Sequence, residues 1–383
     1  MVRAVRGGQS MRAVARRFRV GLSHVQRWVE RVHGQRLDRA DFSDRPDGCQ
    51  RSPRRTSASC ERRILKLRRE LKDKSALGEY GAAAIRLALR DGGESDVPSA
   101  RTIGRILERR GVLDGRRRVR RPPPPRGWYL PRLAAGRAEL DSIDIVEGLV
   151  IKGGLDVQVL NAISLYGGLV GSWPMPTVTA KCVVDVLLEH WRTHGLPDYA
   201  QFDNGAVFQG PHAHRDTLGR VIRLCLALGV TPVFAPPREM GFQAAIENYN
   251  GQWQAKVWRR FRHRAINDLR RRSDGYVAAR RLRDAVRIGE ATRRAMPARW
   301  TFDVQTPLAG TIVYLRRSDA RGRVQLLGNT FDVDPDRPHR LVRADIDLDA
   351  GKIRFLALRR KDPGHQPLLK TITHHIPRKR FKD

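Results

Sequence analysis

The chain has 383 residues, a length for two to four domains, and Lys and Arg outnumber Asp and Glu by 74 to 40, a formal charge of +34. That surplus favours a polyanion as partner, nucleic acid ahead of an anionic membrane surface, and leaves no reason to expect a small-molecule substrate. A hydrophobic content of 40% is enough for packed cores and excludes disorder throughout. No run approaches the roughly 18 apolar residues of a membrane span, and residues 1–8 lack an apolar signal core. With four scattered cysteines, Cys49, Cys60, Cys182 and Cys225, the chain reads as a cytoplasmic protein with reduced thiols.

Residues 10–33 read as two helices about a tight turn. Met11, Val14, Ala15 and Phe18 recur at helical spacing. Arg19-Val20-Gly21 makes the turn, with Gly21 free to take a positive φ and Ser23 as the next cap. The second helix buries Val25, Trp28, Val29 and Val32 and exposes His24, Gln26, Arg27 and Arg31, a polar face suited to DNA. Residues 1–35 are therefore expected to form a helix-turn-helix DNA-binding domain, with 36–59 as linker. A second helical block, 60–114, runs from Glu61–Lys72 through Tyr80-Gly81, Ile85 and Leu89 to Ser99, Thr102, Leu107 and Gly111. It resembles the second helix-turn-helix of bacterial insertion-sequence transposases. Residues 115–134 are a basic, Pro-rich tether. Arg116, Arg117, Arg118, Arg120 and Arg121 precede Pro122–Pro125 and are candidates to follow a phosphate backbone.

From Glu139 the pattern turns to strands. Residues 140–146, 157–165 and 168–174 alternate as three strands. An amphipathic helix covers 179–194, a fourth strand 199–202, a helix 215–228 and a fifth strand 231–235; helix resumes after Phe242. This order fits a ribonuclease-H-like α/β core with a mixed five-stranded sheet over 135–264. The charge reverses here. Residues 139–210 hold nine acids and three bases (9 − 3, about −6), whereas 251–300 hold fifteen bases and four acids (15 − 4, about +11). His212 and His214 lack partners at zinc spacing and read as a solvated loop. Trp253 and Trp258 could stack on bases or fill a helix core.

Gly195-Leu196-Pro197, Asp203-Asn204-Gly205, Phe208, Pro236-Pro237, Gly241 and Glu247 together resemble the retroviral-integrase-like core of DDE transposases from bacterial insertion sequences. The resemblance covers roughly residues 135–265 well and the flanks loosely. It implies that Asp144, Asp203 and Glu247 are the catalytic metal ligands. Moving a phosphodiester to water or to a hydroxyl needs both entering and leaving oxygens stabilised, which two Mg²⁺ (or Mn²⁺) about 4 Å apart achieve. Mg²⁺ selects hard oxygen ligands, hence Asp and Glu. Crowded carboxylates repel one another until a cation enters.

Two assignments have alternatives. Asp141 lies three residues before Asp144, so on a regular strand the two face opposite sides and only one can be a ligand; Asp144 is favoured. Glu239 would match the family's usual spacing better, since 43 residues separate Asp203 from Glu247. Glu247 is nevertheless favoured because it lies in a helical run, with an insertion expected within 210–220. The helix beyond it offers Asn250, Gln254, Lys256, Arg259 and Arg260 to DNA.

A basic helical connector is expected over 265–302. Strand patterns at 311–315, 324–328, 330–333, 342–348 and 353–355, with a hairpin about Gly328-Asn329, suggest a small β-barrel over 303–365, then a basic tail over 366–383. The resemblance implies a transposase that nicks element ends and joins them to target DNA. It implies inverted-repeat and target duplexes as partners, a homo-oligomer on DNA and a bacterial, nucleoid-associated location. The alternatives are a transposase-derived regulator without catalysis and a nuclease that cannot join.

Overall fold

The computed structural model describes residues 1–43, 56–113, 126–211, 215–239, 241–377 and 381. Packing divides the chain into two units, Met1–Cys60 and Glu61–Asp383. Cys49, Arg116, Arg117, Arg118, Arg120, Arg121, Pro122–Pro125, His212 and His214 lie outside the described residues. Among the described residues no helix is long and apolar enough to cross a membrane, and Cys182 and Cys225 are free thiols.

The first unit has three helices, α1 (Val2–Arg6), α2 (Met11–Phe18) and α3 (Leu22–Arg31), around Val14, Ala15 and Val25. α1 was not anticipated; Arg6 ties it to the Val32 and Gln35 carbonyls. Ser10 caps α2, its Oγ accepting from the Ala13 N–H at 3.2 Å. The turn differs in detail from expectation. Arg19, not Gly21, takes the left-handed conformation (φ 52°), because it closes α2 by donating to the Ala15 and Arg16 carbonyls. Gly21 is then the extended N-cap of α3, in place of Ser23. Trp28 is only half-buried.

α4 (Ala58–Lys74) crosses the division, and with α5 (Ala82–Asp91) and α6 (Ala100–Arg109) it buries Ile64, Leu67, Ile85, Leu89, Ile103, Ile106 and Leu107. Glu61 is buried between Arg109 and Arg110, which keeps its charge compensated. The last residues assigned to the tether are packed. Trp128, Tyr129, Leu130 and Leu133 are buried around the short α7 (Pro131–Ala134).

The central sheet is built from β1 (Leu140–Ile151), β2 (Leu155–Ser164), β3 (Val170–Met175), β4 (Tyr199–Phe202) and β5 (Thr231–Phe234). Helices α8 (Ala180–His194), α9 (Ala206–Gln209) and α10 (Arg220–Ala227) lie between β3 and β5 in sequence. β1, β2 and β3 are antiparallel neighbours, and β4 and β5 run parallel to β1, giving the order 3-2-1-4-5 of a ribonuclease-H-like sheet. β1 outlasts its expected end at Val146 because the register shifts between Val146 and Leu149, where Gly148 takes φ 71°. The shift changes parity: Val146 and Leu149 both face the same apolar cluster.

After β5 come α11 (Ala244–Trp253), a π-helical turn (Gln254–Trp258), α12 (Ile266–Arg283) and α13 (Ala285–Glu290). α12 is not a mere connector. Leu269, Tyr276 and Val277 pack with Ile246, Tyr249 and Trp253 of α11 against Val146, Val157 and Val159 of the sheet. The opposite face packs Val183, Leu187 and Trp191 of α8 and Leu224 of α10 on Ile143, Leu160, Phe202 and Phe234.

The expected separate β-barrel is corrected. β6 (Thr311–Arg317), β9 (Leu341–Asp347), β10 (Lys352–Ala357) and β11 (Leu368–Thr373) continue the central sheet into nine strands, order 11-10-9-6-5-4-1-2-3, with β7 (Arg323–Leu326) and β8 (Asn329–Asp332) as a separate hairpin. The join is β5 to β6, parallel, at Val233–Val313 and Phe234–Tyr314. An apolar edge on β5 with open backbone groups is satisfied most completely by another strand. The β7–β8 turn is Leu327-Gly328, both at positive φ (50° and 72°). α10 starts at Arg220, five residues later than expected, and Asp216 before it binds Asn329 and His374, each at 2.8 Å.

Candidate active site

Asp144 lies in the middle of β1, and its register partner on β2 is Asn161. Partners in an antiparallel pair emerge on the same face, here the face covered by α11. Asn250 of α11 links the two. Its Nδ2 donates to Asp144 Oδ2 at 2.8 Å, and its Oδ1 accepts from Asn161 Nδ2 at 2.8 Å. Asn250 was expected along DNA; it is instead buried and orients a carboxylate. Glu247 precedes Asn250 by three residues and so shares its side of the helix.

Asp203 arrives from a third element. Gln201 of β4 pairs in parallel with Ser142 of β1, so Asp203 and Asp144, each two residues on, leave neighbouring strands at the same level. Burial first, then the Asp203 charge and, more weakly, Glu247 together push the Asp144 carboxyl up to about 6, against hydrogen bonds from the Ile145 N–H and Asn250. Three side chains distant in sequence thus share one field.

The turn carrying Asp203 is fastened on both sides. Asp203 Oδ1 accepts from the Gly205 N–H at 2.8 Å, and a Cβ at Gly205 would stand 3.0 Å from that oxygen. Asn204 Nδ2 donates to the Ala235 carbonyl at 2.7 Å, while its Oδ1 accepts from Gln209 Nε2 at 2.6 Å and Arg316 Nη2 at 2.8 Å. Arg316, on β6, also donates to the Leu315 and Ala235 carbonyls and lies over the Tyr314 ring. Among the described residues no carboxylate pairs with it, and burial pushes its guanidinium down to about 10. Such a buried cation is tolerable only when hydrogen-bonded. Arg316 was not foreseen: its sole sequence signal was an Arg directly after the apolar run Ile312–Leu315.

Both alternative ligands are engaged elsewhere. Asp141 faces α8 and forms a two-pronged pair with Arg293 at 2.8 Å in each prong, and Trp191 Nε1 donates to it at 2.9 Å. Burial alone would raise its carboxyl; Arg293 outweighs that and holds it below the usual range. Glu239 is paired with Arg317 in the loop after β5, and that hydrogen bond lowers its carboxyl.

The expected DNA-facing residues divide. His24, Gln26 and Arg27 are exposed on α3, where His24 Nε2 accepts from Trp28 Nε1. Arg31 is half-buried, over the Trp28 ring and bound to the Ser43 carbonyl. Arg259 is exposed and Gln254 half-buried, joined at 3.3 Å. Lys256 and Arg260 instead clamp the end of α4, donating to the Gly78 and Ser75 carbonyls at 2.7 and 2.8 Å. Trp253 is core, bonded to Ser273, and Trp258 stacks on His263.

The donor set fits a hard divalent cation. Asp144, Asp203 and Glu247 supply carboxylate oxygens only, as Mg²⁺ prefers, and the repulsion felt at Asp144 is what a cation would relieve. Among the described residues no three acidic, His or Cys side chains close on a common point.

Solved structures similar to the chain are retroviral integrases. A simian T-cell lymphotropic virus intasome, in complex with PP2A regulatory subunit B56 gamma, aligns over 73% of this chain and 93% of its own, at 14% identity and TM-score 0.33. The catalytic core domain of BIV integrase aligns over 37% and 80%, at 19% identity and TM-score 0.27. That of HTLV-2 integrase, in complex with magnesium, aligns over 37% and 83%, at 12% identity and TM-score 0.27. No protein-family profile matches the chain, and no curated protein does. The likeness is distant, so the chemistry is decided by the residues of this chain.

Proposed function

We propose that this protein is a DDE-type polynucleotidyl transferase, a transposase or integrase that nicks the 3′ ends of a mobile DNA element and joins them to target DNA. What supports this reading is that the charges of Asp203 and Glu247 both act on the Asp144 carboxyl, within a chain of net charge +34. Two divalent ions, Mg²⁺ or Mn²⁺, held by these carboxylates would stabilise the entering and leaving oxygens at phosphorus. The protein's own groups fix the geometry. Asn161 and Asn250 orient Asp144; Arg316, Gln209 and the Gly205 amide hold the turn bearing Asp203. Nicking uses water and joining uses the freed 3′-hydroxyl. In each, one P–O bond forms as another breaks, and the departing 3′-oxygen takes a proton. One site serves both because only the attacking oxygen changes. Element ends come in pairs, so the working form is an oligomer on DNA, and α3 with His24, Gln26 and Arg27 is a candidate reader of the end sequence.

The test uses duplexes carrying the inverted repeats that flank the gene, intact or pre-cut, with and without Mg²⁺. Mg²⁺-dependent nicks in intact ends and joined products from pre-cut ends are expected. Nicks without joining would make the protein a nuclease; binding without either would make it a regulator.

A further inference from the structure

A groove of about 950 Å³ lies between the β1–β2 turn and the segment after the π-helical turn. Lys152 lines one wall, and Arg262, Arg264 and Arg272 line the other, together with Asp268, whose carboxylate is paired with Arg271. All four cations are exposed, and among the described residues none is in an ion pair. The aromatic lining is ordered: Trp258 stacks on His263 at 5.2 Å and 14°, and Arg272 lies 4.2 Å above the Phe261 ring. His263 is 7% exposed, and its Nε2 can donate to the Trp258 carbonyl at 3.2 Å. Its other nitrogen, Nδ1, is buried at this lining without a partner. Unpaired cations over flat apolar surface suit a phosphodiester backbone, whose charges are regularly spaced and whose sugars are apolar.

The groove is set apart from the carboxylates. Ile151 lies seven positions beyond Asp144 along β1, roughly 20 Å at strand rise. That is about six base-pair steps of duplex.

We propose that this groove seats the backbone of duplex DNA about six base pairs from the bond being cut. The proposal rests on the DNA-cutting function above, which it extends to a second contact along the same duplex. Lys152, Arg262 and Arg264 meet phosphates; Trp258 and His263 form the lining against the sugars.

The test is fluorescence-anisotropy binding across a salt series. The triple variant Lys152→Ala, Arg262→Ala, Arg264→Ala is compared with wild type and with a charge-matched control, Lys352→Ala, Arg354→Ala, Arg359→Ala. The probes are duplexes extending about three or twelve base pairs past the scissile position. On the long duplex the groove variant should lose about two to three units of the log Kd against log salt slope, at about 0.9 per phosphate, while the control stays within one unit. On the short duplex wild type and groove variant should converge. An unchanged slope in the groove variant, with a melting temperature equal to wild type, would overturn the proposal, as would equal losses in the control. The two readings fail separately. A wild type that binds with the groove-dependent slope yet never cuts keeps the groove and ends the catalytic reading; one that cuts with no groove-dependent slope does the reverse.

Discussion

The Asp203→Asn protein is expected to bind duplex DNA at least as tightly as wild type and to yield neither nicks nor joined products in Mg²⁺. A metal-bound phosphoryl site is worth several kcal/mol of transition-state stabilisation, and at 1.36 kcal/mol per decade that is roughly a thousandfold or more in rate. Binding survives because the substitution removes a negative charge from the path of a polyanion. Stability moves the other way from activity. The Asp144 carboxyl ionises near 6 in the fold, against 3.8 as the ordinary value, through burial first and the Asp203 charge second. Such a raised acid costs stability: the folded state keeps a proton that the unfolded chain has released. Stability therefore falls as pH climbs from about 4 to 6, and the full cost, of order 3 kcal/mol, persists above that window. Removing the Asp203 charge relieves the second cause only. The metal-free variant should be more stable than wild type at neutral pH by about 1 kcal/mol, and no different near pH 3. Thermal unfolding at both pH values reads this directly. Wild-type rates of joining in Asp203→Asn would remove this residue from the site.

Asp141→Ala should fail in the opposite manner. Asp141 is 1% exposed and is the carboxylate that compensates the buried Arg293 guanidinium. Taking away one member of a buried pair strands the other charge, at a cost of about 3–5 kcal/mol. Replacing both, with Asp141→Leu and Arg293→Met, should recover much of that, since the desolvation cost disappears with the charges. The folded fraction of either variant should still cut DNA in Mg²⁺ within a few-fold of wild type. Acid acts on the same pair: with its carboxyl held below the usual range, Asp141 contributes stability that is present above about pH 4 and lost as pH falls further. Denaturant unfolding together with cleavage per folded molecule checks this. A fully stable Asp141→Ala protein without Mg²⁺-dependent chemistry would hand the metal role to Asp141.

The contrast between Asp141 and Asp144 shows what the sequence could carry. Their three-residue spacing already put them on opposite faces of β1, and the order of strands and helices through the core came from alternation and periodicity. What could not be read locally was pairing at long range. Arg316 reaches Asn204 across 112 residues, and nothing near Arg316 distinguishes it from any Arg on a half-buried strand. β6, β9 and β10 alternate as strands of a separate barrel would; only the exposed edge of β5 decides that they extend the sheet. Asn250 was visible as polar on a helix, but its inward direction depends on Asn161 standing opposite Asp144 in the β1–β2 register. Lys256 and Arg260 belong to a +11 stretch that suggests a DNA face, yet the loop after α4 absorbs both. Charge counting does not see such internal partners.

The most direct measurement is calorimetric titration of Mn²⁺ into the DNA-free protein from about pH 5 to 8, for wild type and for Asp144→Asn, Asp203→Asn and Glu247→Gln. Binding is expected at neutral pH and should weaken as pH falls through about 6, where Asp144 takes up its proton. Each substitution should weaken it by at least roughly tenfold. Wild-type Mn²⁺ affinity in any one of the three variants, or pH-independent binding that all three retain, would contradict a shared carboxylate site.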